Sequence, residues 1–201
     1  MKSLRFSLIA LFLFFVPMVF AQGHDHPSEA QKPPAQKSEA QKSFDILKNL
    51  AGQWEGPVTL EPAMNNTTMG TIDVTMRVTS RGNAIVHELQ GTGEPLDYTK
   101  YDHPVTMLYI DNDRLNLIHY CDAGNRPRMV ARSSPDGKTV EFDFVDISGP
   151  TNHGHMHHAV FTFVDANHHI EDWTYMMPGD KPMHAHAELT RKTDGGSASG
   201  K

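Results

Sequence analysis

The sequence predicts an all-β protein, an up-and-down antiparallel β-barrel of about ten strands with a short N-terminal helix. Short segments of alternating apolar and polar residues recur along most of the chain, separated by turn residues such as Asp122–Asn125. One stretch, carrying Phe44, Leu47 and Leu50, instead has helical spacing. So many strands would leave exposed edges in an open sheet, and closure into a barrel would remove them.

The N-terminus has the pattern of a secretory signal peptide. Lys2 and Arg5 precede an apolar run from Leu8 to Phe20, and small residues favour cleavage after Ala21. The run is shorter than the roughly 20 residues that a membrane-spanning helix needs. We therefore expect residues 1–21 to be removed and the protein to be secreted or periplasmic, without stable membrane insertion.

The next segment, residues 22–43, predicts a disordered low-complexity linker. It is composed mainly of His, Pro, Gln, Lys, Glu, Ser and Ala, and it repeats Ala-Gln-Lys. Cleavage after Ala21 would place His24 third from a new terminus, an arrangement that chelates copper or nickel unless Gln22 cyclises. The barrel domain is predicted over residues 44–192, and a flexible tail over 193–201.

Charge and cysteine content exclude some classes of protein. The formal net charge is -6, and it becomes -8 when Lys2 and Arg5 leave with the signal peptide, which contains no acidic residue. An acidic protein is poorly suited to nucleic acid. The single cysteine, Cys121, cannot form an internal disulfide, so burial of apolar side chains must hold the barrel together.

Within the barrel, the sequence predicts both strand positions and strand faces. The expected strands cover residues 52–60, 71–79, 85–89, 105–110, 115–121, 126–133, 140–145, 157–164, 169–177 and 183–191. In the fifth, Leu115 and Leu117 set the inward phase. We therefore expect His119 and Cys121 to point inward and Tyr120 outward.

The first strand carries a short motif made of Leu50, Gly52, Trp54 and Gly56. A helix followed by Gly-x-Trp and an antiparallel meander resembles the lipocalin and calycin barrels, and this resemblance implies that Trp54 plugs one end. The chain is also similar over most of residues 44–192 to a bacterial secreted lipocalin-like family of unknown function. The segments that carry this similarity are 105–107, 119–121, 124–129, 154–157 and 171–173.

Two weaker resemblances concern metal chemistry. The histidine-bearing barrel is similar to the nitrobindins, which are haem-binding calycins, and this would imply haem bound through His184 or His186. Their glycine-rich signature is missing after Gly56. Gly149 followed by His155-x-His157 resembles half of a cupin metal motif, but the remaining half is missing.

The histidines themselves suggest a metal site. Only two of the thirteen, His24 and His26, precede the predicted barrel. His155 and His157 form one His-x-His pair, and His184 and His186 form another; on a strand, both imidazoles of such a pair project from one face. The four predict a divalent metal site that His119 or Glu171 could complete.

Other polar residues suggest a pocket for a small molecule. Arg126 and Arg128 could hold a carboxylate or phosphate, but pairing with Asp122 or Asp146 is the alternative that the sequence favours. The predicted ligand-binding residues are Trp54, His119, Arg128, His157, Glu171 and Trp173. The usual hydrolase and nucleotide-binding motifs do not occur in the sequence. A secreted barrel that binds a partly apolar molecule is the favoured function, and a metal-dependent enzyme or a metal- or haem-binding protein is the alternative.

Overall fold

The computed structural model describes residues 36–62, 70–132, 134 and 136–193. The predicted signal peptide, most of the linker, His24 and all but the first residue of the predicted tail lie outside these residues. The described part contains one α-helix, ten β-strands and a 3-10 turn at Ser80–Gly82. The helix and strands are α1 (Glu39–Lys48), β1 (Gly52–Glu61), β2 (Thr71–Thr79), β3 (Ala84–Gly91), β4 (Val105–Asp111), β5 (Arg114–Tyr120), β6 (Arg126–Ala131), β7 (Thr139–Ser148), β8 (His155–Phe163), β9 (His168–Met177) and β10 (Lys181–Arg191).

The strands form a closed barrel, which confirms the predicted fold class. Each strand pairs antiparallel with its neighbours in the chain, and β1 pairs with β10 to close the sheet. The pairing β5–β6 is short, and irregularities interrupt β6–β7 near Arg128 and β8–β9 near His157. Closure gives every strand two hydrogen-bonded neighbours, so the barrel presents no free edge.

Helix α1 covers one end of the barrel. It begins at Glu39, inside the segment assigned to the linker, because Ser38 accepts a hydrogen bond from the backbone N–H of Gln41 at 3.2 Å. Phe44 and Leu47 are buried, and the helix packs against β4, β5 and β7. None of the described helices is long and apolar enough to cross a membrane.

Trp54 lies at this closed end of the barrel. Its side chain is fully buried, and the indole Nε1 donates to the carbonyl of Leu50 at 2.8 Å. The guanidinium of Arg191 sits 4.0 Å from the indole ring and donates to the carbonyl of Ala51. These contacts connect the end of the helix to the start of β1 and the end of β10.

The interior divides into a filled half and an open half. On β5, Leu115 and Leu117 are buried in the apolar core near α1. His119, and Cys121 immediately after the strand, line a cavity further from the helix. On β1, Trp54 belongs to the core and Leu60 to the cavity wall. Every second residue of a strand faces inward. The inward residues of one strand therefore belong to the core near the closed end and to the cavity wall further along.

Candidate functional site

The open half of the barrel encloses a cavity of about 720 Å³, within the range of small-molecule sites. Asp102, Asp122 and His153, from three loops at the end opposite α1, lie at its mouth. Most of the wall is apolar, and its aliphatic and thioether groups come chiefly from Leu60, Ile72, Leu89, Met156, Met177 and Met183. An apolar molecule that enters the cavity would exchange water for a mostly apolar environment.

A buried polar cluster, the Glu171 cluster, lies at the inner end of the cavity, and all of its members except His169 line the wall. It consists of Glu171, His87, His169 and Trp173. Glu171 is completely buried, and its carboxylate accepts from His87 Nε2 at 3.0 Å, from His169 Nε2 at 2.9 Å and from Trp173 Nε1 at 3.0 Å. Because the carboxylate accepts in each contact, both histidines carry a proton on Nε2.

The contacts of Glu171 keep it ionised despite its burial. Burial by itself raises the pKa of this carboxyl, but the attraction of His87 and the hydrogen bonds from both histidines outweigh it, so the pKa lies below its usual value. The edge of the Trp54 ring packs on His169, with ring centroids 4.2 Å apart. The cluster is therefore supported from the closed end of the barrel.

His119 presents a neutral imidazole to the same cavity. The residue is only 4% exposed, and its Nδ1 lies 2.9 Å from the hydroxyl of Thr106. Burial and the charge of His87 lower its pKa to about 4. Among the described residues, Nε2 has no hydrogen-bond partner. Since a hydroxyl can donate or accept, His119 can offer Nε2 to an occupant as either an acceptor or a donor.

The mouth carries Asp102, Cys121 and Asp122, whose donor atoms all lie within 4.8 Å of one another. The backbone N–H of Asp122 donates to Asp102 at 3.1 Å. Burial, and then the charge of Asp122, raise the pKa of Asp102. Burial also raises the pKa of the Cys121 thiol, which disfavours the reactive thiolate, as expected for an inert cysteine.

Three of the predicted ligand-binding residues line the cavity, namely His119, Glu171 and Trp173. The predicted orientation of β5 is confirmed, because Tyr120 is 43% exposed on the outside. His119 is paired with the hydroxyl of Thr106 on the neighbouring strand β4.

The other three predicted ligand-binding residues lie elsewhere. Trp54 is in the closed end beneath the cavity. Arg128 does not line the cavity, because it points away and forms an ion pair with Asp146 at 2.5 Å, the alternative that the sequence allowed. His157 stacks on Phe144 with ring centroids 5.0 Å apart, also outside the cavity wall. Alternation alone could not place His157, because β8 is irregular there.

The four predicted metal ligands do not converge in the described structure. His155 and His157 lie on β8, with ring nitrogens 3.1 Å apart, and β9 separates them from β10. On β10, His184 contacts the hydroxyl of Thr174, and His186 contacts Asp172 at 2.6 Å. His184 and His186 do not line the cavity either, so neither is placed to hold haem inside it.

Comparisons with known proteins support the fold and leave the activity open. No protein-family model and no curated protein matches the chain. The crystal structure of Rv2717c from Mycobacterium tuberculosis matches with a TM-score of 0.53 and 14% identity, over 75% of this chain and 98% of that one. A protein of unknown function from the DUF3598 family of Nostoc punctiforme aligns with a TM-score of 0.39 and 9% identity, over 81% of this chain and 53% of its own. At this identity, the similarity to Rv2717c indicates a common fold alone.

Two members of the Glu171 cluster, His87 and His169, were not predicted as site residues. The sequence did carry a signal for each. His87 alternates with Ile85 and Leu89, and His169 shares a face with Glu171. What the sequence could not show is that β3 and β9 face each other across the barrel, which brings His87 to Glu171.

Proposed function

We propose that the barrel binds a small, partly apolar molecule in its interior, in the manner of calycin-type carriers. The observation that carries this proposal is the cavity of about 720 Å³, whose wall includes a neutral His119 with no hydrogen-bond partner for Nε2 among the described residues. Apolar walls provide affinity through burial of the occupant's surface, and one buried hydrogen-bonding group selects its orientation.

The polar groups of the cavity are held in place before any ligand arrives. His119 is fixed by Thr106, and the indole of Trp173 is fixed by Glu171. Trp173 also packs against the ring of Phe161, with centroids 5.4 Å apart. Binding would therefore not need to order these side chains, a cost that otherwise reduces affinity.

We also propose that the protein works outside the cytoplasm. The signal-peptide pattern of residues 1–21 supports export. The single cysteine is compatible with an oxidising compartment, since no disulfide has to form within the chain.

Titration with the neutral fluorophore N-phenyl-1-naphthylamine tests cavity binding, because its emission rises when it enters an apolar site. We expect saturable binding to the purified protein, with quenching of Trp173. Ala185 lines the cavity on β10, so Ala185→Trp should occupy part of the cavity and weaken binding. Native mass spectrometry of the protein from its own host would detect the natural occupant.

Glu188→Trp is the matched control, because Glu188 lies on the same strand but faces solvent with 72% of its side chain exposed. This variant should bind the fluorophore like the original protein. Equal binding by Ala185→Trp, with the fold retained by circular dichroism, would place the fluorophore outside the cavity and refute the proposal.

A further inference from the structure

The charges around the cavity are unbalanced. Among its described lining residues there are three carboxylates, Asp102, Asp122 and Glu171, and neither lysine nor arginine. The sequence of residues 63–69, which connect β1 to β2, contains no lysine or arginine either. Among the described lining residues, histidines are thus the only side chains that could carry positive charge.

The three carboxylates differ in how they are compensated. Glu171 accepts hydrogen bonds from three side chains of its own cluster. Asp102 and Asp122 lie together at the mouth, and no described lysine or arginine forms an ion pair with either. Their mutual repulsion contributes to the raised pKa of Asp102. A positive group placed between them would relieve this repulsion.

An aromatic wall stands beside this acidic mouth. The hydroxyl of Tyr175 donates to the backbone carbonyl of His153 at 2.8 Å, which holds the ring at the cavity wall. Burial, and then the charges of Cys121, Asp122 and Asp102, raise the pKa of the phenol, so these groups lie within electrostatic reach of it. Aromatic faces attract cations, and carboxylates next to such a face strengthen the attraction.

We propose that the cavity selects amphiphilic amines over amphiphilic acids. The protonated nitrogen would lie at the mouth near Asp102, Asp122 and Tyr175. The apolar body would extend inward and contact Val58, Ile72 and Ala187, which are buried residues of the cavity wall. A carboxylate at the same place would face two like charges without a compensating cation. This inference rests on the proposed binding function and names the chemical class of its ligand.

Displacement of N-phenyl-1-naphthylamine by three ten-carbon compounds, decylamine, 1-decanol and decanoate, tests the selectivity at neutral pH and low salt. We expect decylamine to displace the fluorophore at a concentration about tenfold below that of decanoate, with 1-decanol between them. Added salt should narrow the difference, because the mouth is open to solvent.

The double variant Asp102→Asn/Asp122→Asn should bring decylamine close to 1-decanol, with each displacement referred to the affinity of the same variant for the neutral fluorophore. The control is Asp111→Asn/Asp113→Asn, which removes the same charge at the β4–β5 turn near α1, outside the cavity wall. This control should retain the preference for the amine.

Equal displacement by decanoate and decylamine would overturn the selectivity and leave cavity binding intact, since the neutral fluorophore still binds. An unchanged preference in the Asp102→Asn/Asp122→Asn variant would also overturn it. If neither the fluorophore nor any of the three compounds binds, the proposed function and this inference fail together.

Discussion

Individual histidines in this protein behave differently because their surroundings differ. His119 is buried without a carboxylate partner, and burial lowers its pKa to about 4. His186 lies on the outer surface, where its hydrogen bond with Asp172 raises its pKa. One is therefore a neutral group on the cavity wall, and the other is a surface charge that forms more readily as the pH falls.

The pKa of His119 predicts a pH dependence of stability. Below about pH 6.5 the unfolded chain protonates this residue, whereas the folded protein resists protonation until about pH 4. The unfolded state then binds more protons, so the free energy of unfolding falls as the pH falls through this window. The full effect is on the order of 3 kcal/mol. Urea unfolding at several pH values between about 4.5 and 7.5 measures it.

The variant Thr106→Val/His119→Phe removes the imidazole together with its hydroxyl partner, and so avoids an unpaired buried hydroxyl. It should lose most of the pH dependence in this window. Tyr120→Phe changes the neighbouring outward residue and should retain the pH dependence of stability. Glu171, whose pKa is lowered, contributes stability above its ordinary pKa near 4.5 that is lost at more acidic pH. If the free energy of unfolding of the double variant varies with pH as in the original protein, His119 is not the group responsible.

At the scale of elements, the barrel depends on the contact between its first and last strands. Gly56 lies on β1 between the paired positions Glu55–Thr190 and Val58–Ala187. A Cβ atom added at Gly56 would lie 1.9 Å from the backbone carbonyl oxygen of Glu188. The glycine is required because two backbones approach closely here. The Gly-x-Trp-x-Gly pattern of the sequence thus serves closure of the barrel.

We predict that Gly56→Ala destabilises the protein by at least about 2 kcal/mol, because β10 must move away from β1. Gly70→Ala is the matched control, since a Cβ there meets no atom of the described residues within 4 Å. It should change stability by less than about 0.5 kcal/mol. Chemical denaturation of both variants decides between these outcomes. Similar stability in the two would show that the strands accommodate a methyl group at the point of closure.

At the scale of the whole molecule, the chain combines a barrel with a long N-terminal segment. The helix that covers the barrel begins at Glu39, and the side chain of Ser38 caps it. The first 21 residues carry the signal-peptide pattern, and the proposed export depends on them.

Export predicts a specific mature form. The intact mass of the protein recovered from its own host should correspond to a chain that begins at Gln22, or to the same chain with a cyclised N-terminal glutamine. Fractionation should place it outside the cytoplasm. Replacing the apolar Leu8–Phe20 run by a polar sequence should retain the full-length form inside the cell. A full-length, cytoplasmic protein in the unaltered strain would refute the proposed location.

The sequence by itself determined the order of strands and most of their faces. Alternation is a local property, since neighbouring side chains on a strand point to opposite sides whatever the rest of the chain does. Leu115 and Leu117 therefore sufficed to place His119 inside and Tyr120 outside. The same alternation placed Glu171 and Trp173 on one face.

Only the tertiary structure decided which polar residues meet. His87 reaches Glu171 from a strand 84 residues away in sequence, and Thr106 on β4 pairs with His119 on β5. The sequence grouped four histidines of β8 and β10 into one metal site. In the structure, β8 is irregular at His157 and β9 lies between β8 and β10, so these histidines are kept apart. Such contacts depend on the curvature of the closed sheet and on strand register, which are properties of the whole barrel and leave no periodic signal in any one strand.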